Sequence, residues 1–160
     1  MCYTTVIKCI MTKGCGTLGL PNINGRQPQI GEIYLMHFGG SSNEQKGWRP
    51  GLVFQNNLGN RYSPNIIALP LTSAIKKTSQ PTHVFVPAQG TGLLKDSMVL
   101  CENPECMSKE KIGNYLTTLS EEFMSKIAIA NLLASSALSF IDPDMLLAVW
   151  QKSLALNAIA

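Results

Sequence analysis

The chain has 160 residues, a length that predicts one domain with a sizeable buried core. Hydrophobic residues make up 45% of it and charged residues 14%, which excludes an intrinsically disordered protein. The formal net charge of +3 is too small to indicate a nucleic-acid-binding protein by itself, although it permits a local basic patch.

No apolar run reaches the length of a membrane span. Lys8, Lys13, Gly14 and Gly16 interrupt the apolar patches of the N-terminal segment, which argues against a secretory signal. We therefore expect a cytoplasmic protein without membrane contact.

The cysteines lie at positions 2, 9, 15, 101 and 106, an odd number without a Cys-x-x-Cys spacing. Both histidines are far from them in sequence, so the pattern does not predict a zinc site. Asp96, Glu102 and Glu105 form no evident cage for a metal ion. We expect reduced thiols, no metal and no cofactor.

The first part of the chain is the hardest to interpret. Residues 1–29 are treated as an N-terminal extension, with one possible strand from Tyr3 to Met11. Alternating residues from Ile30 to Phe38 predict the first strand of the domain. Gly39 to Asn43 reads either as a flexible loop that folds over a ligand or as a solvated surface loop.

Two apolar runs, Leu52 to Phe54 and Ile66 to Leu71, are bounded by Gly, Pro and Asn, as buried strands are. Arg49 precedes the first run, and Thr72 follows the second together with Ser73. If the two strands pair, these polar side chains meet at one end of a small sheet.

The segment between these strands reads as a polar loop, and it carries Gln55, Asn56 and Arg61. We expect this loop to lie near Arg49. An arginine aimed at a hydroxyl, with such a loop beside it, suits an anionic substrate such as a phosphodiester.

The second half of the chain changes its periodicity. Short strands at His83 to Pro87 and Ser97 to Glu102, separated by turns, are typical of a small barrel. From Ser120 the apolar residues recur at helical spacing, with Ser120 as the predicted N-cap. A second helix is predicted from Asp142, which would cap it, with Pro143 in its first turn.

Several motifs, in order and at matching spacing from about Gly31 to Ile141, resemble the MazF/PemK (Kid-like) toxins, small ribonucleases of bacterial toxin–antitoxin systems. The motifs are Gly31-Glu32-Ile33-Tyr34, Glu44-Gln45-Lys46-Gly47-Trp48-Arg49-Pro50, Gln55-Asn56, Gly59-Asn60-Arg61-Tyr62-Ser63-Pro64, Leu71-Thr72-Ser73, Pro81-Thr82-His83-Val84 and Lys95-Asp96-Ser97.

This resemblance implies an α+β fold, a small SH3-like β-barrel with C-terminal helices. The domains would be an N-terminal extension (1–29), a ribonuclease domain (30–142) and a C-terminal helical extension (143–160). It also implies a homodimer that binds single-stranded RNA across its interface, and a cognate antitoxin whose acidic, partly disordered tail covers the RNA groove.

The resemblance implies that Arg49 stabilises charge on the phosphorane and that Thr72 donates to the scissile phosphate. In one branch of the family an acidic residue matching Glu102 is proposed as the general base, and here that role and a solvated carboxylate stay equally open. His83 is interpreted as structural. His37 lies close to the Gly39-Gly40 loop and could contact substrate, but a structural role is favoured.

The predicted substrate-binding residues share polar or aromatic side chains near the two central strands, and are Gln45, Trp48, Gln55, Asn56, Arg61 and Ser73. The amides could read unpaired bases or bond to backbone at strand ends, and Trp48 could stack a base or belong to the core. Two departures from the family pattern are Glu105, where some members have arginine, and Asn43, where some have histidine. The negative charge of Glu105 should weaken RNA binding if it faces the RNA groove.

The sequence therefore predicts a metal-independent endoribonuclease, in which the 2′-hydroxyl attacks the neighbouring phosphate. Two alternatives stay open, because barrels of this type support many functions. One is an RNA-binding module that has lost catalysis, and the other is a protein-binding SH3-like module.

Overall fold

The computed structural model describes residues 26–39, 46–75 and 80–157. The strands of these residues are β1 (Glu32–Gly39), β2 (Lys46–Val53), β3 (Asn65–Thr72), β4 (His83–Val86), β5 (Ser97–Leu100), β6 (Glu105–Ser108) and β7 (Ile112–Thr118). Their α-helices are α1 (Asn57–Tyr62), α2 (Glu121–Ala134) and α3 (Pro143–Asn157). Two 3-10 turns, Lys109–Lys111 and Ala137–Phe140, precede β7 and α3.

The strands form one 7-stranded sheet in the order β4-β5-β3-β2-β1-β7, with β6 paired to β3. Every pairing is antiparallel. Strand β3 has two partners along one edge, since its first half pairs with β6 and its last two residues pair with β5. The bulged register between β1 and β7 adds twist at the other side of the sheet.

Both faces of the sheet are apolar, because inward and outward side chains alternate along each strand. One face carries Ile33, Leu52, Leu69 and Leu71, and packs against Ile127 of α2 and its neighbours. The other face carries a second cluster, and its members are Tyr34, Met36, Phe38, Val53, Ile66, Ala68, Met107 and Ile112. The candidate site lies on this second face.

Gly51 lets the second cluster pack directly on the backbone of β2. A Cβ atom at this position would lie 2.5 Å from the Met36 sulfur and 2.9 Å from the Phe38 ring. No side chain therefore fits there unless Met36 or Phe38 moves, and the apolar floor beside Arg49 depends on this glycine.

The segment before β1 is attached to the sheet by a buried carboxylate. Glu32 is buried, and it accepts hydrogen bonds from the Tyr34 hydroxyl at 2.7 Å and the Gln29 backbone N–H at 2.8 Å. Arg26 pairs with the same carboxylate and covers the Tyr115 ring at 4.4 Å. Burial, followed by the carboxylate of Glu32, raises the pKa of the Tyr34 phenol well above its usual range.

The C-terminal helices differ in how they pack. Helix α2 buries Ile127 and Ala130 against the sheet. Helix α3 exposes large apolar side chains along its length, including Met145, Val149 and Trp150. No helix among the described residues has the length and apolar character needed to cross a membrane.

The antiparallel sheet with C-terminal helices is confirmed. Strands β4 and β7 remain edges in the described pairings, so the structure does not show a closed barrel. The possible strand from Tyr3 to Met11 and the Gly40 to Asn43 part of the loop lie outside the described residues.

Several local expectations need correction. The segment after β2 is not a loop but the short helix α1, capped by Asn56. Arg49 lies inside β2, since pairing with β1 extends that strand back to Lys46. Ser120 occupies the N-cap position of α2 but makes no side-chain cap. Asp142 does cap α3, because its carboxylate accepts from the Asp144 N–H at 2.8 Å.

Candidate active site

Arg49 and Thr72 lie on the same face and at the same end of the central hairpin. The β2–β3 register pairs Gly51 with Pro70 and Val53 with Ala68. The pairing ends at Gly51 and Pro70, and Arg49 and Thr72 each lie two residues beyond that pair. Because residues two positions apart on a strand point to the same face, both side chains leave the sheet on one face and beyond the same end of the pairing.

The Thr72 hydroxyl is oriented by the turn that follows it. Thr72 is the last residue of β3, and its Oγ1 accepts a hydrogen bond from the Ala74 backbone N–H at 3.1 Å. Because the oxygen is used as an acceptor, the hydroxyl proton can point away from the turn toward an anion. The side chain is thus arranged to donate at the edge of the Arg49 face.

Arg49 is half-buried, and its electrostatic surroundings are mixed. Burial lowers the pKa of its guanidinium, while the negative charge of Glu105 opposes that decrease. A half-buried arginine has lost part of its hydration and binds an anion more strongly than a fully solvated one. This side chain can therefore bind a phosphate through charge-assisted hydrogen bonds.

Glu102 is engaged with His83 in the structure. Its Oε1 lies 2.8 Å from the His83 Nε2, and the side chains are 31% and 13% exposed respectively. The Asn131 amide donates to the adjacent Cys101 carbonyl at 2.8 Å, which fixes the turn that carries Glu102. The His83 interaction agrees with the structural interpretation of that histidine.

The other predicted polar residues lie at the opposite end of the hairpin from Arg49. The eight residues of β3 span roughly 20 Å at about 3.3 Å per residue, and helix α1 adjoins their start rather than their end. Along the strands, Gln55, Asn56 and Arg61 are therefore separated from Arg49 by most of the length of the hairpin. The hairpin is too long for both of its ends to contact one phosphate.

Hydrogen bonds occupy most of the polar side chains at that end. The Asn56 Oδ1 accepts from the Gly59 N–H at 2.8 Å as the helix cap. Gln55 donates to the Asn65 carbonyl at 3.3 Å. Asn60 is fully buried and donates to the Gln55 carbonyl at 2.9 Å. Arg61 is exposed beside Tyr62, at 5.5 Å from its ring.

The remaining predicted contacts are dispersed. Trp48 lies on the opposite face of β2 from Arg49 and packs edge-on against His37, at 5.4 Å between ring centroids. Ser73 is exposed directly after Thr72. Gln45 lies outside the described residues, and so does Asn43.

Glu105 is the residue whose proximity to Arg49 the sequence did not predict. It pairs with Ala68 across β3 and β6, and Ala68 pairs with Val53 on the other side, so alternation puts Glu105 on the Arg49 face. The sequence identified Glu105 as a departure from a family pattern whose negative charge should weaken RNA binding if it faces the RNA groove. Its place depends on a pairing between distant segments, for which the chain offers no local signal.

Within residues 26–39, 46–75 and 80–157, no three His, Cys, Asp or Glu side chains group in a way that could hold a metal ion. Asp96 is used locally, since its Oδ1 accepts from the Ala88 N–H at 2.8 Å. The chemistry available to the chain's own residues is therefore a guanidinium and a hydroxyl on one face, which together can bind a phosphodiester and stabilise added negative charge.

Comparison with known proteins adds an independent finding. A family model described as the PemK-like, MazF-like toxin of type II toxin–antitoxin systems matches residues 29–133. Endoribonuclease EndoA of Bacillus subtilis (strain 168) is 37% identical over 97 residues, which cover 61% of this chain and 84% of that protein. The residues matched by the family model include Arg49 and Thr72 and the whole of the sheet.

Solved structures resemble the same part of the molecule. An endoribonuclease in complex with its cognate antitoxin, from a mycobacterial species, has a TM-score of 0.58 and 28% identity, covering 72% of this chain and 99% of that chain. MazF from Deinococcus radiodurans has a TM-score of 0.60 at 21% identity, covering 72% of this chain and 99% of that chain. At this low identity the comparison shows a similar fold only.

Proposed function

Because this chain belongs to the PemK-like, MazF-like toxin family of type II toxin–antitoxin systems, we propose that it is a toxin-type endoribonuclease that cleaves single-stranded mRNA at defined sequences. The observation that supports the proposal is that Arg49 and Thr72 lie on one face of the β2–β3 hairpin, each two residues beyond the Gly51–Pro70 pair. A related protein of 37% identity is named an endoribonuclease.

The proposed reaction uses the RNA itself as the nucleophile. The 2′-hydroxyl loses its proton to a base and attacks the adjacent phosphorus, and the bond to the 5′-oxygen breaks. The leaving 5′-oxygen takes a proton from Arg49 acting as general acid or from water, so the products carry a 2′,3′-cyclic phosphate and a 5′-hydroxyl. Arg49 stabilises the charge that grows on the non-bridging oxygens, and Thr72 donates a hydrogen bond to the same phosphate. No metal ion takes part in this proposal.

The reaction also needs a base that accepts the proton of the 2′-hydroxyl. Glu102 remains our proposal for this role, and its geometry adds a condition. Its Oε1 is bonded to His83 at 2.8 Å, and its Oε2 is buried without a hydrogen-bond partner among the described residues. Glu102 would therefore have to turn a carboxylate oxygen toward the RNA before it could accept the proton.

Contacts to the rest of the RNA would involve exposed side chains along the sheet. Arg61 and Ser73 are exposed and suit the phosphate backbone. We retain Gln45, Trp48, Gln55 and Asn56 as proposed RNA contacts, although the side chain of Asn56 would have to do so while capping α1. RNA that follows the sheet would pass from one end of the hairpin to the other.

We further propose a homodimer, a closed SH3-like arrangement of the sheet, and a location in the cytoplasm, where mRNA is present. A solved relative is an endoribonuclease bound to its cognate antitoxin, and we propose an antitoxin partner here. An acidic antitoxin segment would compete with RNA for Arg49 by the same charge complementarity.

The test is cleavage of a long single-stranded RNA by the purified protein in EDTA, with the products analysed for cyclic phosphate ends. We expect discrete cuts by wild type, none in DNA of the same sequence, and a loss of about a hundredfold or more in Thr72→Val. Thr72→Ser keeps the hydroxyl and is the matched control, so it should retain most of the activity.

Intact RNA after incubation with folded, antitoxin-free wild type would refute the enzyme proposal. Equal activity in Thr72→Val and Thr72→Ser would leave the enzyme but remove Thr72 from its site. Cleavage that EDTA abolishes would contradict the metal-independent reaction.

A further inference from the structure

Glu105 lies on the same face of the sheet as the proposed catalytic pair. Strand pairing connects Glu105 to Ala68, and Ala68 to Val53. Alternation along β2 from Val53 through Gly51 leads to Arg49 on that face, and Met36, which pairs with Arg49, belongs to the cluster on that face. Three strands thus bring a carboxylate and a guanidinium to one apolar surface.

The charges of these two side chains interact. The negative charge of Glu105 raises the pKa of the Arg49 guanidinium, against the lowering effect of burial. Both side chains are half-buried, where an ion pair is screened less than in bulk solvent. Arg49 therefore already has a carboxylate nearby before any phosphate arrives.

The spacing favours an effect through Arg49 over a direct role in proton transfer. Glu105 pairs with Ala68, which precedes Thr72 by four positions on β3, a separation of roughly 13 Å along the strand. The charge of the long Arg49 side chain nevertheless interacts with that of Glu105. A carboxylate at that distance is poorly placed to reach the 2′-hydroxyl of a phosphodiester held at Thr72.

We propose that Glu105 is an internal competitor for Arg49, a carboxylate that occupies the guanidinium until an RNA phosphate displaces it. This inference rests on the proposed ribonuclease function and deepens it, since it assigns Glu105 as a residue that sets RNA affinity. The free enzyme keeps a half-buried arginine neutralised, and an RNA phosphate must replace that interaction in order to bind.

The experiment measures binding of a 2′-O-methyl single-stranded RNA pool, which lacks the attacking hydroxyl, by fluorescence anisotropy at fixed salt. Glu105→Gln removes the charge with little change of shape, and we expect it to bind about tenfold more tightly than wild type. Glu105→Asp keeps the charge and should bind like wild type. Glu110→Gln is the matched control, because it removes one exposed charge nearby and should change affinity less than about twofold.

A second background tests whether the effect passes through Arg49. In the Arg49→Ala background, Glu105→Gln should tighten RNA binding by at most about threefold, because the guanidinium for which Glu105 and the phosphate compete is absent. A tenfold gain in both backgrounds would overturn the proposal in favour of simple charge repulsion. Thermal unfolding of each variant identifies any that are misfolded, and Glu105→Asp provides the second, charge-preserving comparison.

Two further results would also overturn the inference. Unchanged affinity in Glu105→Gln would show that the carboxylate does not compete with RNA. A hundredfold loss of cleavage rate with unchanged affinity would make Glu105 the general base instead. If wild type binds and cleaves RNA in either case, only this inference fails, whereas a wild type that does neither refutes the proposed function as well.

Discussion

The two ends of the β2–β3 hairpin carry similar polar residues and use them differently. At the end with Arg49 and Thr72, the side chains share one face, and the Thr72 hydroxyl keeps its proton for another acceptor. At the end with helix α1, Asn56 caps the helix and Asn60 is buried as a donor to the backbone. A polar residue near a strand end thus indicates function only where local backbone groups leave its hydrogen-bonding capacity available.

The largest expected effect is at the Arg49 end. Arg49→Ala removes the group that we propose stabilises the phosphorane, so we expect kcat/KM for RNA cleavage to fall by about a hundredfold to a thousandfold. Lys126→Ala is the control, because Lys126 is an exposed cation that pairs with Glu122 on α2. A similar loss in both variants would mean that general positive charge, rather than the site, supports cleavage.

Asn60→Ala should destabilise the end of the hairpin that carries helix α1, without changing the rate of RNA cleavage. The buried amide donates to the Gln55 carbonyl at 2.9 Å, and its removal should lower the free energy of unfolding by about 1–3 kcal/mol. Urea denaturation measures this loss. Cleavage per folded molecule should stay within about twofold of wild type, and a large loss of kcat would mean that the two ends are coupled.

Asn56→Ala should have a smaller effect of the same kind. It removes the N-cap of α1, a contribution of about 1 kcal/mol to stability. Asn56→Ser is the matched control, since serine can also cap a helix. If Asn56→Ser cleaves RNA much less well while keeping wild-type stability, the amide reads RNA rather than capping the helix alone.

Arg61→Ala should give the smallest effect, on binding alone. Arg61 is exposed beside Tyr62. The loss of one phosphate contact should weaken RNA affinity by about threefold and reduce the slope of log affinity against log salt concentration by about one. The rate at saturating RNA should not change. A fall in kcat without any change in affinity would contradict the separation of the two ends.

The sequence predicted strands β2 and β3 well, because the two strands follow each other closely in the chain. Apolar runs bounded by Gly, Pro and Asn indicated β2 and β3, and their adjacency makes a hairpin the simplest pairing. The motif resemblance then supplied roles for Arg49 and Thr72. Both roles rest on short motifs that can be recognised from neighbouring residues alone.

The sequence predicted the rest less well, for two physical reasons. Helix α1 is a single short helical segment whose Asn and Gly content is typical of loops, and only the Asn56 cap distinguishes it. Strand β6 pairs with β3 across a long stretch of chain, and such non-local pairing leaves no periodic signal. The sequence therefore does not predict that Glu105 shares a face of the sheet with Arg49.

The most direct test of the central claim, that Arg49 and Thr72 act on the same phosphate, is a double-mutant cycle of kcat/KM for RNA cleavage. The variants are Arg49→Ala, Thr72→Val and the double mutant, each checked for wild-type unfolding behaviour. We predict that the double mutant is little worse than Arg49→Ala alone, because residues that act as a unit show non-additive losses. Fully additive losses would contradict the account, since they would mean that the two side chains contribute at independent places.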